Sequence, residues 1–292
     1  MSGPYDSQMS LFGDGTPGLA EYPKPADGPP VLAEVLITVK AAPTPSKTYQ
    51  DTVCVAGIRV DTEPYRWVRL YPVPFRGLDR VYKFKKYEVL RLRMTPTSGD
   101  ARAESYRPDL ESIEHIETLP AGPKGWATRH EYLKPLDQGL TTCSLSRGWK
   151  AGQKRASLAI IEPRQVDNLI IGEHPGWTHQ QVKDMRAIAD QPSLFDDTKK
   201  APRLIQPPRF HVKIAYHCLE DDCGGHTSSL IDWEASMLDR THSHAPAPVA
   251  KDKIQAKYNS LLDPAKAPRL YIGNMQRCPG SYSILGIYPT QP

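Results

Sequence analysis

Downstream of a polar start, apolar and polar positions alternate in short runs over residues 31–40, 52–60, 67–73, 87–94 and 157–161. Pro, Gly and Asp turn formers close each run. The pattern predicts a β-rich domain over residues 31–189, of a size that suits a small barrel. A helical spacing over 178–189 runs into 190–208, where prolines and charges break every period, and this stretch reads as a linker. Beyond it, 210–218 alternates like a strand, 226–240 has helical spacing, and 269–272 and 281–288 read as closing strands, so 209–292 is expected to be a smaller α+β domain. Residues 1–30, rich in Gly, Pro, Asp and Ser, are expected to be a disordered tail. The predicted class is α+β, and no sequence repeat of 20 to 50 residues is visible.

Composition changes this picture little. With 39% hydrophobic and 24% charged residues, a packed core is expected. No apolar run is long enough for a membrane span, and the first residues lack a signal-peptide core, so a cytoplasmic, nucleoid-associated location is expected. The five cysteines are an odd, scattered set, which favours thiols or metal ligands over disulfides. The net charge of +4 permits a polyanionic partner without requiring one.

The distribution of charge says more. Arg66, Arg69, Arg76, Arg80, Lys83, Lys85, Lys86, Arg91 and Arg93 face only Asp79 and Glu88 in the same stretch, interleaved with Tyr65, Trp67, Tyr71, Phe75, Tyr82, Phe84 and Tyr87. Cations that track phosphate beside rings that stack on bases suit nucleic acid, DNA more than RNA. Arg147, Lys150, Lys154 and Arg155, around two glycines, form a second candidate phosphate-gripping loop. The plainer alternative buries the rings and leaves a solvated basic face.

Cys218-x4-Cys223-x2-His226 places three soft or borderline ligands in one Gly-containing turn. A fourth is sought among Cys278, His217, His242 and His244, with Cys278 the preferred candidate. Structural zinc and an unmetallated, hydrogen-bonded turn both fit this spacing. On a helix over 226–240, Glu234 falls inside the apolar stripe with His226, while Asp232 points away. An inward carboxylate needs a partner or a function. Glu234 is therefore either half of a Glu–Lys or Glu–Arg pair or, with His226, a catalytic acid/base on a nucleic acid. Asp100, Arg102, Glu104 and Arg107 read as a solvated edge. No phosphate-binding Gly-rich loop or Gly-x-Ser-x-Gly elbow occurs.

Two pentapeptides stand apart from these predicted elements. Gln8-Met9-Ser10-Leu11-Phe12 and Gln191-Pro192-Ser193-Leu194-Phe195 share Gln-x-Ser-Leu-Phe in segments with no core role. Both resemble the clamp-binding peptide of bacterial polymerases and mismatch-repair proteins. The resemblance implies that Leu11, Phe12, Leu194 and Phe195 fill an apolar pocket of the replicative sliding clamp, with Gln8 and Gln191 bonding at its rim. The resulting expectation is a DNA-associated protein recruited by the clamp, acting in DNA repair, replication-coupled processing or antiviral defence, with a metal-dependent nuclease as one form of it. The alternatives are a non-enzymatic clamp adaptor or inhibitor, and an RNA-binding or RNA-modifying protein.

Overall fold

The computed structural model describes residues 28–43, 45, 52–100, 102–153, 155–189 and 204–291. Both clamp-like pentapeptides, and Lys154, lie outside them. The fold is mixed α+β. A β-rich part contains a closed five-stranded barrel, and an α+β part follows.

The first barrel is built from β1 (Val31–Lys40), β2 (Val53–Arg59), β3 (Arg66–Val73), β4 (Glu88–Pro96) and β5 (Ser105–Pro108). The strands pair in the order β1-β2-β3-β5-β4, with β3 and β5 parallel, and β4 returns to β1. Closure removes the open edges that a five-stranded sheet would otherwise expose. The later half of β1 pairs with β2 and its earlier half with β4. Val35, Ile37, Val55, Val68, Leu70, Leu92 and Met94 fill the interior. A register shift between Ile37 and Val39 puts Leu36 and Val39 together on the outer side of β1. A sixth strand, β6 (Glu114–Thr118), extends the sheet along β4.

Two helices, α1 (Gly122–Leu133) and α2 (Thr142–Lys150), lead to the second sheet, formed by β7 (Leu158–Ile161), β8 (Pro163–Glu173), β9 (Phe210–Cys218), β10 (His226–Leu230), β11 (Pro268–Met275) and β12 (Cys278–Pro289). Its order is β7-β11-β12-β10-β9-β8. The two edge strands are consecutive in the chain, separated only by Glu162, so they act as two halves of one bent strand. With β7/β8 counted as the first strand, the second sheet repeats the order of the first barrel, and β10 and β12 are parallel as β3 and β5 are. No sequence repeat foretells this, because the two copies share connectivity and not residues.

This topology corrects the expected domain boundary. β7 and β8 precede residues 190–208 yet pair with strands that follow them, so the division falls between β6 and β7. The segment from β8 to β9, with α3 (His179–Ala189), is a connection within the second sheet.

Residues 226–240 are also not one helix. His226–Leu230 is β10, and only Trp233–Thr241 is helical, as α4. Asp232 is the N-cap, its carboxylate accepting from the Glu234 N–H at 3.1 Å. The helix α5 (Ala247–Leu261) then packs Ala250, Ile254 and Tyr258 inward.

The two barrels share a core. Leu36, Val39, Ala56 and Ile58 of the first meet Leu158, Ile160, Tyr271, Leu285 and Tyr288 of the second. Polar groups fasten the same seam. Arg69 donates to Ser157, Arg102 donates to the Asn274 carbonyl at 2.8 Å, and Lys86 sits 3.2 Å from both Asp232 oxygens. The run containing Asp100, Arg102 and Glu104 is therefore seam structure and not a solvated edge. Among the described residues no helix is long and apolar enough to cross a membrane.

Candidate metal centre

The turn between β9 and β10 carries the predicted thiols. Cys218 ends β9, Cys223 lies in the turn and His226 opens β10. The hairpin register pairs His226 with Tyr216, which brings both ends of the turn together. Gly225 sits at φ +90°, a conformation that L side chains rarely adopt, and the His217 ring packs over it.

The fourth member comes from a distant part of the chain. Cys143, 83 residues before His226, lies in the first turn of α2 with Sγ 3.3 Å from His226 Nε2. The ligand atoms of Cys143, Cys218, Cys223 and His226 all lie within 4.8 Å of one another. Three thiols and one imidazole at this spacing match the Cys3His donor set of four-coordinate metal sites. Each position is supplied by protein, as in closed structural sites and unlike catalytic sites, which keep one position open.

Local chemistry holds Cys143 in place. Thr141 caps α2 reciprocally with Ser144, so the helix begins one residue before the cysteine. The Thr141 hydroxyl also donates to Glu220 at 2.6 Å, and Arg147, one turn along, pairs with the same carboxylate. The Thr142 and Tyr216 hydroxyls are 2.9 Å apart. Helix and turn are thus joined by bonds that do not depend on the cluster itself. Burial and the neighbouring Cys218 and Cys223 sulfurs push the Cys143 thiol up to about 12. Burial also acts to raise Cys223, but the Gly225 and Cys218 N–H groups and the adjacent sulfurs hold it below the ordinary thiol value. Cys223 is thereby pushed down while Cys143 is pushed up, an imbalance that a bound cation removes.

The other proposed fourth ligands lie elsewhere. Cys278 is exposed at the start of β12 and is not in the cluster. His217 Nδ1 is 3.0 Å from Asp167, though not in hydrogen-bond alignment. His242 Nδ1 caps the Leu238 carbonyl, and His244 is exposed. Cys143 escapes a reading by spacing because the β-sheet, not the local sequence, delivers α2 to the turn.

His226 and Glu234 do not share a helix face. Glu234 pairs with Lys86 at 3.6 Å and with Lys257, and these lysines hold its carboxyl below the usual range although burial acts against them. Asp232, expected to point outward, is 2% exposed. It meets Lys86 and accepts from the Tyr258 hydroxyl at 3.1 Å.

The predicted nucleic-acid residues fall into distinct groups. Arg69 and Lys86 are buried in the seam. Arg91 pairs with Glu34 and Glu114, Arg93 with Asp109, and Arg147 with Glu220 and Asp222. Arg66 is half-buried on β3, and Arg155 lies across Gly148, where a Cβ would collide with its guanidinium. Arg76, Arg80, Lys83 and Lys85 are exposed on the β3–β4 connection, and Lys150 is exposed at the end of α2. Most of the interleaved rings turn inward. Phe75, Phe84 and Tyr87 are buried, Trp67 packs edge-on against Tyr271, and Tyr65 stacks on Tyr132; Tyr71 alone of the seven is exposed.

Two family models match the chain, and their division follows the structure: a domain of unknown function (DUF8758) covers residues 31–135, and a second, DUF8757, covers residues 138–292. No curated protein matches it. Because the second match spans more than half of the 292 residues, the chain belongs to the DUF8757 family.

Proposed function

We propose that this protein binds nucleic acid through the outward, cation-rich connection between β3 and β4, and that zinc in the Cys3His cluster fastens its second barrel. The observation that carries the reading is the sorting of charge. Arg69 is buried and Arg91 and Arg93 pair with carboxylates on their strands, and the exposed cations Arg76, Arg80, Lys83 and Lys85 are gathered on one connection. Five-stranded Greek-key barrels are recurrent hosts of oligonucleotide binding, which supports the reading as an analogy of fold. With most rings turned inward, base stacking contributes little, and phosphate contacts supply most of the affinity.

The residues proposed for cleavage chemistry are engaged elsewhere, His226 in the cluster and Glu234 between two lysines. Binding, not phosphodiester hydrolysis, is therefore the activity we infer. Recruitment by the bacterial sliding clamp is the second part of the proposal and rests on the pentapeptides alone. Purified protein and a Leu11→Ala, Phe12→Ala, Leu194→Ala, Phe195→Ala variant, passed over immobilised clamp, test it: the first binds and the second does not. Failure of the unaltered protein to bind removes clamp recruitment and leaves the nucleic-acid proposal standing.

A further inference from the structure

The connection that carries the exposed cations of the first barrel has an equivalent in the second. In the shared strand order, β3–β4 corresponds to β10–β11, which holds α4 and α5. The two connections pack against each other across the seam. Phe75 meets Trp233 edge-on with ring centroids 5.4 Å apart, and Lys86 of the first contacts Glu234 of the second, which in turn holds Lys257. Lys257 therefore stands beside the basic connection of the first barrel, although some 170 residues separate them. Lys253, one helical turn before it, lies on the same side of α5 and is exposed.

We infer that the nucleic-acid surface continues across the seam onto α5, with Lys253 as a phosphate contact and Lys257 at the junction, so that one nucleic-acid backbone is held by both barrels at once. The inference rests on the nucleic-acid reading proposed above. Asp79, Asp252 and Asp263 are exposed on the same two connections against Arg76, Arg80, Lys83, Lys85, Lys251 and Lys253, and Glu234 is already neutralised by Lys86 and Lys257, so exposed cations outnumber exposed carboxylates there. A phosphate backbone is the occupant that such a set of exposed cations on two adjoining connections fits, because each contact releases a condensed counterion.

The test uses the full chain and a labelled oligonucleotide of about 16 nucleotides, single-stranded and duplex, with affinity followed over a salt series. Lys253→Ala is compared with Lys83→Ala; both side chains are exposed, and circular dichroism confirms that each variant is folded. Each substitution is expected to weaken binding roughly 3–10-fold at moderate salt and to lower the salt slope by about one contact. Weakening by Lys83→Ala with no change in Lys253→Ala would overturn the inference and leave the first-barrel site intact. If the unaltered protein binds neither oligonucleotide, the underlying reading fails and the inference with it.

Discussion

Cys143 and Cys278 look alike in the sequence, isolated cysteines far from the Cys218–His226 turn, and only the fold separates them. Cys143 is in the ligand cluster and Cys278 is exposed on a strand end. Cobalt substitution distinguishes them, because thiolate coordination of a tetrahedral ion gives strong visible absorption. Cys143→Ala is expected to lose that signal and the bound zinc, while Cys278→Ala keeps one ion per chain; the reverse pattern would refute the assignment. Asp232 makes a second case. It was placed outward on a helical wheel, yet it caps α4 from below and faces Lys86. Removing it leaves the buried Lys86 ammonium with Glu234 at 3.6 Å as its remaining carboxylate, so Asp232→Ala is expected to cost about 3 kcal/mol in urea unfolding. Lys86→Met, which deletes the other charge, leaves Asp232 with the Tyr258 hydroxyl and the Glu234 N–H and is expected to cost less.

At the scale of elements, the basic connection is held down by one imidazole. His115 of β6 places Nδ1 2.5 Å from Glu88 and Nε2 2.9 Å from the Val81 carbonyl, both acceptors, so the ring carries both protons when the two bonds are made. Glu88 also accepts from the Lys85 N–H at 2.7 Å, and Glu114, Glu117 and Arg91 are the other charges around it on β6 and β4. Partial burial disfavours the cation, but the bonds to Glu88 and Val81 raise the His115 pKa above its ordinary value. With the folded value above the unfolded one, the stability this group adds is present below about pH 6.5 and is lost as pH rises through the folded value. An NMR titration should place the His115 midpoint above the ordinary histidine value of about 6.5, and His115→Gln should flatten the pH dependence of stability across that window. A His115 midpoint at or below that ordinary value would show that the bonds do not form.

The strands that were legible share a property. β9 alternates because one face meets a core, and β1, β2, β4 and β12 show as apolar runs because much of both faces is covered, whereas β8 is largely exposed and mixes Arg, Gln, Asp, Asn and Glu with its apolar residues, so no period shows. β10 and α4 were fused into one helix because Leu230, Ile231 and Trp233 fall by chance at helical spacing around a cap that the wheel cannot represent. α1 and α5 both begin without a side-chain cap, so neither gives the Ser, Thr, Asp or Asn start signal. The turn of the metal cluster was legible and its fourth member was not, for the reason that applies to the domain boundary: both depend on strand pairing between distant parts of the chain.

Across the whole molecule, the shared seam makes two barrels behave as one body. Leu36, Ile58, Tyr271 and Tyr288 belong to a single buried cluster, and the Lys86–Asp232 pair crosses it. Urea unfolding of the metal-loaded protein is therefore expected to follow one transition by fluorescence and circular dichroism alike. Chelation of the metal should destabilise the second barrel first and separate the two probes. Separate transitions in the metal-loaded protein would mean that the seam is weaker than its packing implies.

Nucleic-acid binding through exposed cations is the central proposal, and its salt dependence tests it most directly. The affinity of the full chain for a labelled duplex and for the matching single strand, measured from about 50 to 200 mM salt, should fall linearly on logarithmic axes with a slope of roughly −3 to −5, and the two strand forms should differ little. Absence of binding at the lowest salt, or binding that salt does not weaken, would contradict the account.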